Sequence, residues 1–200
     1  LTQRLDITRS AAMSAVLSSV LEQAGCRGRD FDFIDIYSCF PCAVHAACEV
    51  KVGRFVSITG AVDVQSTGGG AWAAAKLDTR LCEGDTIRVG ERSRAAVALI
   101  NDAVLRIDQN STMRLVDILP DEEESSLLDL FTGAFQSFSR KPKFLKVNTP
   151  YLNGSVEGTE FAVRIDEGKS TITVFEGVVV AANPQGEVSV RPGESAEAAQ

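Results

Sequence analysis

The pattern of hydrophobic and polar positions changes near residue 50 of this 200-residue chain. Before that point, apolar side chains in residues 10–25 recur every three or four positions, which predicts an amphipathic helix between a capping serine and a terminal glycine. A short strand, "FDFIDIY" (31–37), and a second helix, "PCAVHAACEV" (41–50), are predicted to follow. Residues 1–50 therefore predict a helix–strand–helix α/β fragment, which is too small to close a core of its own.

From Lys51 onward, short runs alternate between apolar and polar positions. In "TEFAVRI" (159–165), Phe161, Val163 and Ile165 share one face of the predicted strand. We predict strands in "RFVSI", "AVDVQ", "TIRV", "AAVALI", "VLRID", "TMRLV", "LLDLF", "AFQSF", "FLKVN", "TEFAVRI", "TITVF", "VVVAA" and "EVSV", with glycines separating many of them. Such a series is typical of a mainly β, jelly-roll-like β-sandwich. A β-solenoid of parallel coils is the alternative, because glycine-plus-strand units recur, although at uneven intervals.

Composition and charge narrow the class of protein. The chain is 44% hydrophobic and 24% charged, as in globular domains, and its net charge of −7 disfavours binding to nucleic acid or anionic membranes. No stretch approaches the roughly 20 apolar residues of a membrane span, and no export signal is visible. Because the chain begins at Leu1 rather than Met, we expect its true start to lie upstream.

Four of the five cysteines and the only histidine lie in residues 1–50. The three-residue spacing of Cys39, Cys42, His45 and Cys48 invites a metal interpretation. On a straight helix, however, Cys39 and Cys48 lie about 13 Å apart, too far to share one zinc ion with bonds of about 2.0–2.3 Å. We therefore predict packed helix side chains, with a Cys39–Cys42 pair joined by a distant ligand as the alternative. Nor does an odd, clustered set of cysteines predict a disulfide framework.

Three polar stretches are not predicted to be binding sites. "STGGGA" (66–71) lacks the context of a phosphate-binding loop and predicts a flexible hairpin loop. "PDEEESS" (120–126) lacks the spacing of a calcium loop and predicts a solvated connection. "SRKPK" (139–143) is a small basic patch without interleaved aromatic residues. We predict no catalytic, cofactor-binding or metal-ligating residue, no cofactor and no enzymatic activity.

Residues 51–200 resemble the FecR family of extracytoplasmic regulators and sensors known from iron-transport signalling. The matching stretches are "GRFVSITGAVDV", Trp72, "LCEGDTIRVGERSRAAVAL", "VLRIDQNSTMRL", "LLDLFTGAF", "VNTPY", "GTEFAV" and "TVFEGVVVAA". The most specific residues are Gly84-Asp85, Gly90, Ser93-Arg94-Ala95, Thr149-Pro150, Gly158-Thr159-Glu160-Phe161 and Glu176-Gly177. The resemblance implies a jelly-roll-like domain without enzymatic activity, held in the periplasm or cell envelope and bound to an envelope protein or cell-wall component.

We expect the motif residues to be mainly architectural. Gly84-Asp85 and Gly90 are predicted to bracket the strand "TIRV" with turns. Pro150 is predicted to end a strand, and Gly158 to adopt a backbone angle that Thr159 cannot. We expect a partner to add a strand to an exposed sheet edge, which needs no visible motif.

Residues 1–49 resemble the C-terminal half of thiolases close to the sterol-carrier-protein branch, in "LEQAG" and "FIDIYSCFPCAVHAACE". In this resemblance Tyr37-Ser38-Cys39-Phe40 falls on the strand end that borders the thiolase active site. The acyl-accepting cysteine of that family is missing, so the alternative function, an acetyl-coenzyme A acyltransferase remnant, implies no activity in this chain. Because the two resemblances meet at about residue 50 and imply different compartments, we expect a spurious or chimeric join there.

Overall fold

The computed structural model describes residues 51–67, 69–120 and 125–199. The predictions for residues 1–50, which are the two helices, the strand, the cysteine–histidine cluster and the thiolase-like fragment, lie outside the described residues and stay predictions. The described residues belong to one compact unit, Val50–Gln200.

The described residues contain strands and turns but no helix, which confirms the mainly β prediction. The strands are β1 (Lys51–Thr59), β2 (Val62–Gln65), β3 (Ala73–Ala74), β4 (Arg80–Cys82), β5 (Thr86–Val89), β6 (Arg94–Leu99), β7 (Val104–Ile107), β8 (Ser111–Asp117), β9 (Ser126–Asn148), β10 (Asn153–Asp166), β11 (Lys169–Asn183), β12 (Gly186–Val190) and β13 (Ser195–Ala199). None of these described segments is long and apolar enough to cross a membrane as a helix.

All thirteen described strands join one sheet. Its main path runs β3-β2-β5-β8-β9-β7-β6-β1-β4, while β10 pairs with β9 and β11, and β11 also pairs with β12 and β13. Every pairing between these strands is antiparallel, so the alternative of parallel solenoid coils is wrong for the described residues. Antiparallel pairs allow the short hairpin connections that the glycine-rich turns supply.

One face of the sheet buries a single apolar cluster. The alternation in "TEFAVRI" is confirmed, because Phe161 and Val163 are buried and Ile165 packs against the cluster. The rings of Phe135 on β9 and Phe161 on β10 meet edge to face at 6.0 Å and 79°. The other face of the same strands carries the polar, charged and exposed aromatic side chains, so the candidate site must be sought there.

The structure merges several predicted runs into two long strands. The runs "LLDLF", "AFQSF" and "FLKVN" all lie in β9, while "TITVF" and "VVVAA" both lie in β11. Gly133 and Gly177 were expected to separate strands, but they sit inside them with φ of 81° and 101°. Each lets the backbone bend while the pairing continues on both sides, as at a β-bulge.

The expectation for Gly158 is wrong in its mechanism. Gly158 lies opposite Gly177 in the β10–β11 ladder, and the positive φ belongs to Gly177. A Cβ on Gly158 would lie 2.7 Å from the carbonyl oxygen of Glu176, so a close backbone approach requires this glycine. The two glycines together let the backbones of β10 and β11 approach each other closely at a bend.

The turn before β5 confirms the architectural prediction for its motif. Gly84 has φ of 80°, and the buried Asp85 accepts hydrogen bonds from the backbone N–H groups of Cys82 at 2.9 Å and Thr67 at 3.3 Å. This carboxylate therefore ties two loops to the start of β5. Cys82 is disulfide-bonded, which the distribution of cysteines did not predict.

The two polar stretches that were predicted to be connections lie between strands. "STGGGA" follows β2 in the β2–β3 hairpin, which confirms the predicted loop. "PDEEESS" links β8 to β9, although residues 121–124 are not described. "SRKPK" lies within β9, where the β9–β10 register jumps from Phe138 opposite Glu160 to Lys143 opposite Gly158. This basic patch therefore forms a bulge within a long strand.

Candidate functional site

A row of small and polar side chains crosses six strands on the outer face of the sheet. Neighbouring members of the row are directly opposite each other in the pairing register. From β6 to β13 they are Ala96, Arg106, Gln136, Ala162, Thr173 and Ser195. Because these residues share one face, long side chains rise around the short ones and leave a depression between them.

This depression, which we call the arginine groove, lies across β6, β7, β9, β10 and β11 and encloses about 310 Å³. Ala134 and Ala162 provide a low floor, while Arg94, Arg106 and Arg164 rise around it. Its volume lies near the lower end of the roughly 300–1,000 Å³ typical of ligand pockets. The groove can accept a few side chains of a larger partner rather than enclose a large ligand.

Arg94 is neutralised within the groove. Its Nε donates to Oδ1 of Asp108 at 3.2 Å. A hydrogen bond from the backbone N–H of Gln109, together with Arg94 and the nearby charge of Arg164, holds the pKa of Asp108 below its usual value of 3.8. Asp108 is therefore ionised at neutral pH and offsets one of the three guanidinium charges.

Arg106 and Arg164 form no direct ion pair within the described part of the chain. The ion pairs among the described residues join neither of them to a carboxylate, although Arg164 lies near enough to influence Asp108. Both side chains are exposed. A guanidinium offers five donors in a planar fork that matches a carboxylate or phosphate. The groove thus presents two such forks to solvent.

Several other exposed arginines of the same sheet are paired instead. Arg88 bonds Asp63 at 2.9 Å and lies 4.2 Å from the ring centre of Trp72, and Arg114 bonds Asp129 at 2.6 Å. These two arginines on β5 and β8 therefore have carboxylate partners within the domain, whereas Arg106 and Arg164 in the arginine groove have no such ion pair with a described residue. This difference singles out the groove as the candidate site.

An aromatic side chain forms one wall of the groove. Phe175 is 50% exposed and lies two residues after Thr173 on β11. Side chains two residues apart on a strand lie on the same face, so Phe175 shares the outer face with Thr173. Phe175 therefore faces the groove together with the arginines, although Phe161 next to it in the ladder is buried.

The two ends of the arginine groove are bordered by different side chains. Beyond Arg164, the β10–β11 turn carries Asp166 and Glu167, which line a neighbouring depression. On the opposite side, towards the bend in β9, β10 and β11, the exposed side chains include Phe138, at 41% exposure. A ligand in the groove would meet the carboxylates of Asp166 and Glu167 at one end, and at the other Phe138 beside the hydrogen-bonded Gln136 and Glu160.

The outer edge of the sheet beyond β11 is formed by β12 and β13. Each pairs with β11, and no further described strand pairs with its other side. These edges fit the strand addition expected from the sequence, although both strands are only five residues long. Neither edge carries a charge arrangement as distinct as that of the arginine groove.

Sequence reasoning did not identify the groove. No site residue was predicted, and Arg94 was noted only as part of an architectural motif. Arg106 and Arg164 occupy exposed positions of "VLRID" and "TEFAVRI". These two arginines could be recognised as parts of one site only if β7 and β10 were known to lie close together in the sheet. Among the described residues, no group of three or more His, Cys, Asp and Glu side chains is placed to hold a metal ion.

Comparisons with known proteins bear on the central part of the chain. Residues 85–180 match the family model described as FecR protein. This span runs from the turn before β5 to Val180 on β11 and contains every groove residue named above. The FecR resemblance of this part is thereby supported, whereas nothing supports the thiolase-like fragment. No curated protein matches the chain.

Two crystal structures of a proposed anti-sigma factor from Parabacteroides distasonis ATCC 8503 also match. Each is 18% identical to this chain with a TM-score of 0.49, and the match covers 57% of this chain and 54% of that chain. The matched part of this chain thus spans about half the length of that protein.

Proposed function

We propose that residues 51–200 form a non-enzymatic FecR-like domain that regulates or signals by binding another protein of the cell envelope. The observation that carries this proposal is the FecR match over residues 85–180, which includes the whole arginine groove. Arginine is enriched in the energetic centres of protein interfaces, and aromatic residues including phenylalanine are enriched in interfaces generally. The outer face of the sheet is the surface that supplies both.

We further propose that the curled sheet is a jelly-roll-like sandwich. The bends at Gly158 and Gly177 support this proposal, since they let long strands contribute to two facing layers around one core. An experimental structure should show two layers roughly 10 Å apart. A single open layer would contradict the proposal.

The proposed location is outside the cytoplasmic membrane. This follows from the FecR resemblance alone. Fusing alkaline phosphatase, which is active only after export, behind the full natural gene tests it. We expect activity, and an inactive but stably produced fusion would place the domain in the cytoplasm.

A regulatory role is tested by deleting the gene in its host and comparing transcripts with the parent strain. We expect a defined set of genes to change and to be restored by the natural gene. Unchanged transcripts across the conditions that induce envelope signalling, including iron limitation, would overturn the regulatory proposal.

The alternative, a thiolase-type acyltransferase remnant, rests on the sequence of residues 1–49. An assay of the full chain with acetoacetyl-coenzyme A and coenzyme A is expected to show no turnover. Measurable thiolysis would return that alternative to first place.

A further inference from the structure

We propose that the arginine groove binds an acidic, extended segment of a partner protein, with Arg106 and Arg164 each holding a carboxylate. The inference rests on the proposed partner-binding function and adds where the partner docks and what chemistry it presents. It follows from the charge, spacing and shape of the groove.

Charge complementarity selects a carboxylate-bearing occupant. The chain as a whole is acidic, with a net charge of −7, yet the groove gathers three arginines against one pairing carboxylate, Asp108. Arg94 is satisfied by Asp108, so Arg106 and Arg164 keep donors for a ligand. Planar guanidinium groups bind carboxylates through two parallel hydrogen bonds, which fixes orientation as well as affinity.

The spacing of the two arginines fits an extended chain. Arg106 on β7 and Arg164 on β10 are separated by two strand spacings and by two residues along the strand. These steps amount to about 10 Å across and about 7 Å along, or roughly 12 Å between Cα atoms. An extended peptide rises about 3.4 Å per residue and alternates its side chains, so acidic residues four positions apart lie about 14 Å apart on one side of the chain and would reach both arginines.

The shape of the groove admits a peptide backbone. Its alanine floor lets a chain lie close to the sheet, and Phe175 offers a ring beside the bound segment. Asp166 and Glu167 beyond Arg164 repel a carboxylate placed past that end. The bound segment should therefore carry its acidic residues over the groove and an apolar residue against Phe175.

These features favour a peptide over an anionic lipid surface or polysaccharide. A net negative chain with two arginines outside any direct ion pair among the described residues is poorly suited to a broad anionic surface, which usually engages larger basic clusters. An aromatic wall and an acidic boundary instead suit a short segment that presents both apolar and charged side chains.

The test uses the full chain and a fluorescein-labelled pentapeptide with the sequence Glu-Glu-Phe-Glu-Glu. Fluorescence anisotropy measures its affinity, with Gln-Gln-Phe-Gln-Gln as the matched peptide. The variants are Arg106→Ala and Arg164→Ala. Arg191→Ala is the control, because it removes the same charge from an exposed arginine outside the groove. Unchanged thermal transitions will show that the groove variants are folded.

We expect the glutamate peptide to bind at least tenfold more tightly than the glutamine peptide. Each groove variant should weaken that binding about tenfold or more, while Arg191→Ala changes it less than twofold. Affinity should also fall as salt rises. Equal losses in all three variants would mean that only net charge matters and would overturn the proposal.

Two further outcomes would also overturn it. One is groove-dependent binding to vesicles containing phosphatidylglycerol without binding to the peptide, which would assign the groove to lipid. The other is no binding of either peptide at millimolar concentration. Neither result affects the regulatory proposal, which the gene deletion tests independently, so the two failures are distinguishable.

Discussion

At the scale of single residues, a few positions have a backbone conformation or a charge that another amino acid cannot supply. Gly158 and Gly177 face each other at the bend of the long strands, and Asp85 ties two loops to β5. In the arginine groove, Asp108 decides how much positive charge is left for a ligand. Each of these roles can be isolated by one substitution.

Gly177→Ala should strongly destabilise the domain. Its φ is 101°, and a Cβ would lie 2.3 Å from the Cα of Gly158. Backbone strain and overpacking together should lower the free energy of unfolding by about 2–4 kcal/mol. Urea denaturation of the full chain measures it.

Gly70→Ala serves as the matched control. A Cβ added to Gly70 would meet no other part of the protein within 4 Å, and the φ of this residue is not positive. We therefore expect the free energy of unfolding to change by less than about 0.5 kcal/mol. Similar effects of both alanine substitutions would show that the close approach at Gly177 is not a constraint.

Asp108→Asn should remove part of the acid dependence of stability. The pKa of Asp108 is lowered in the folded protein, so its ionised form adds stability above the ordinary value of 3.8, and that contribution is lost as the pH falls through the folded pKa. Asparagine can still accept the Gln109 N–H bond but has no charge to pair with Arg94.

Denaturation between pH 2 and 7 compares this variant with the natural protein. The stability difference should be constant above about pH 5 and shrink below about pH 4. A difference that does not vary with pH would show that the Asp108 charge adds nothing to stability.

At the scale of elements, the three strands β9, β10 and β11 organise the molecule. β9 pairs with β7, β8 and β10, whereas β11 pairs with β10, β12 and β13. The hydrogen bonds of β10 are therefore covered by a long strand on each side. Arg164, Phe175 and the alanine floor of the groove lie on these strands, whereas Arg94 and Arg106 lie on the neighbouring β6 and β7.

Hydrogen exchange should show that the central strand β10 is more protected than the edge strands. Amides of β10 on both sides of its bend should be the most protected, because their exposure needs the neighbouring strands to separate. Amides of β12 and β13 should exchange faster, since these short strands form the edge. Mass spectrometry of peptides from the exchanged full chain measures it, and equal protection of β10 and β13 would contradict the assigned sheet order.

At the scale of the whole molecule, residues 51–200 should fold without the preceding segment. One apolar cluster draws members from strands between β1 and β12, so the described strands share a single core. A domain of about 150 residues buries enough surface to be stable alone. Calorimetry of residues 51–200 should show one sharp transition, and its absence would mean that the β domain depends on residues 1–50.

The predicted spurious join near residue 50 can be tested by sequencing the gene. Amplifying and sequencing source DNA across codons 40–60 and several hundred bases upstream should show that the join is absent and that an export signal precedes the FecR-like domain. An in-frame join in the source DNA would mean that the gene encodes a genuine fusion.

The sequence by itself determined the β class, most strand positions and the buried face of "TEFAVRI", because alternation with a period of two follows directly from strand geometry. It also determined the FecR resemblance, later supported over residues 85–180. It misplaced strand ends at Gly133 and Gly177, because a glycine that ends a strand and one that bends it look alike in one dimension.

Only the tertiary structure decided where the arginine groove lies. Arg94, Arg106 and Arg164 are distant in sequence and come together because β6, β7, β9 and β10 are neighbours in the sheet. Phe175 joins them because β11 pairs with β10 and alternation along β11 places this side chain on the same outer face. Strand order and register depend on the packing of the whole core, and local sequence patterns do not encode them.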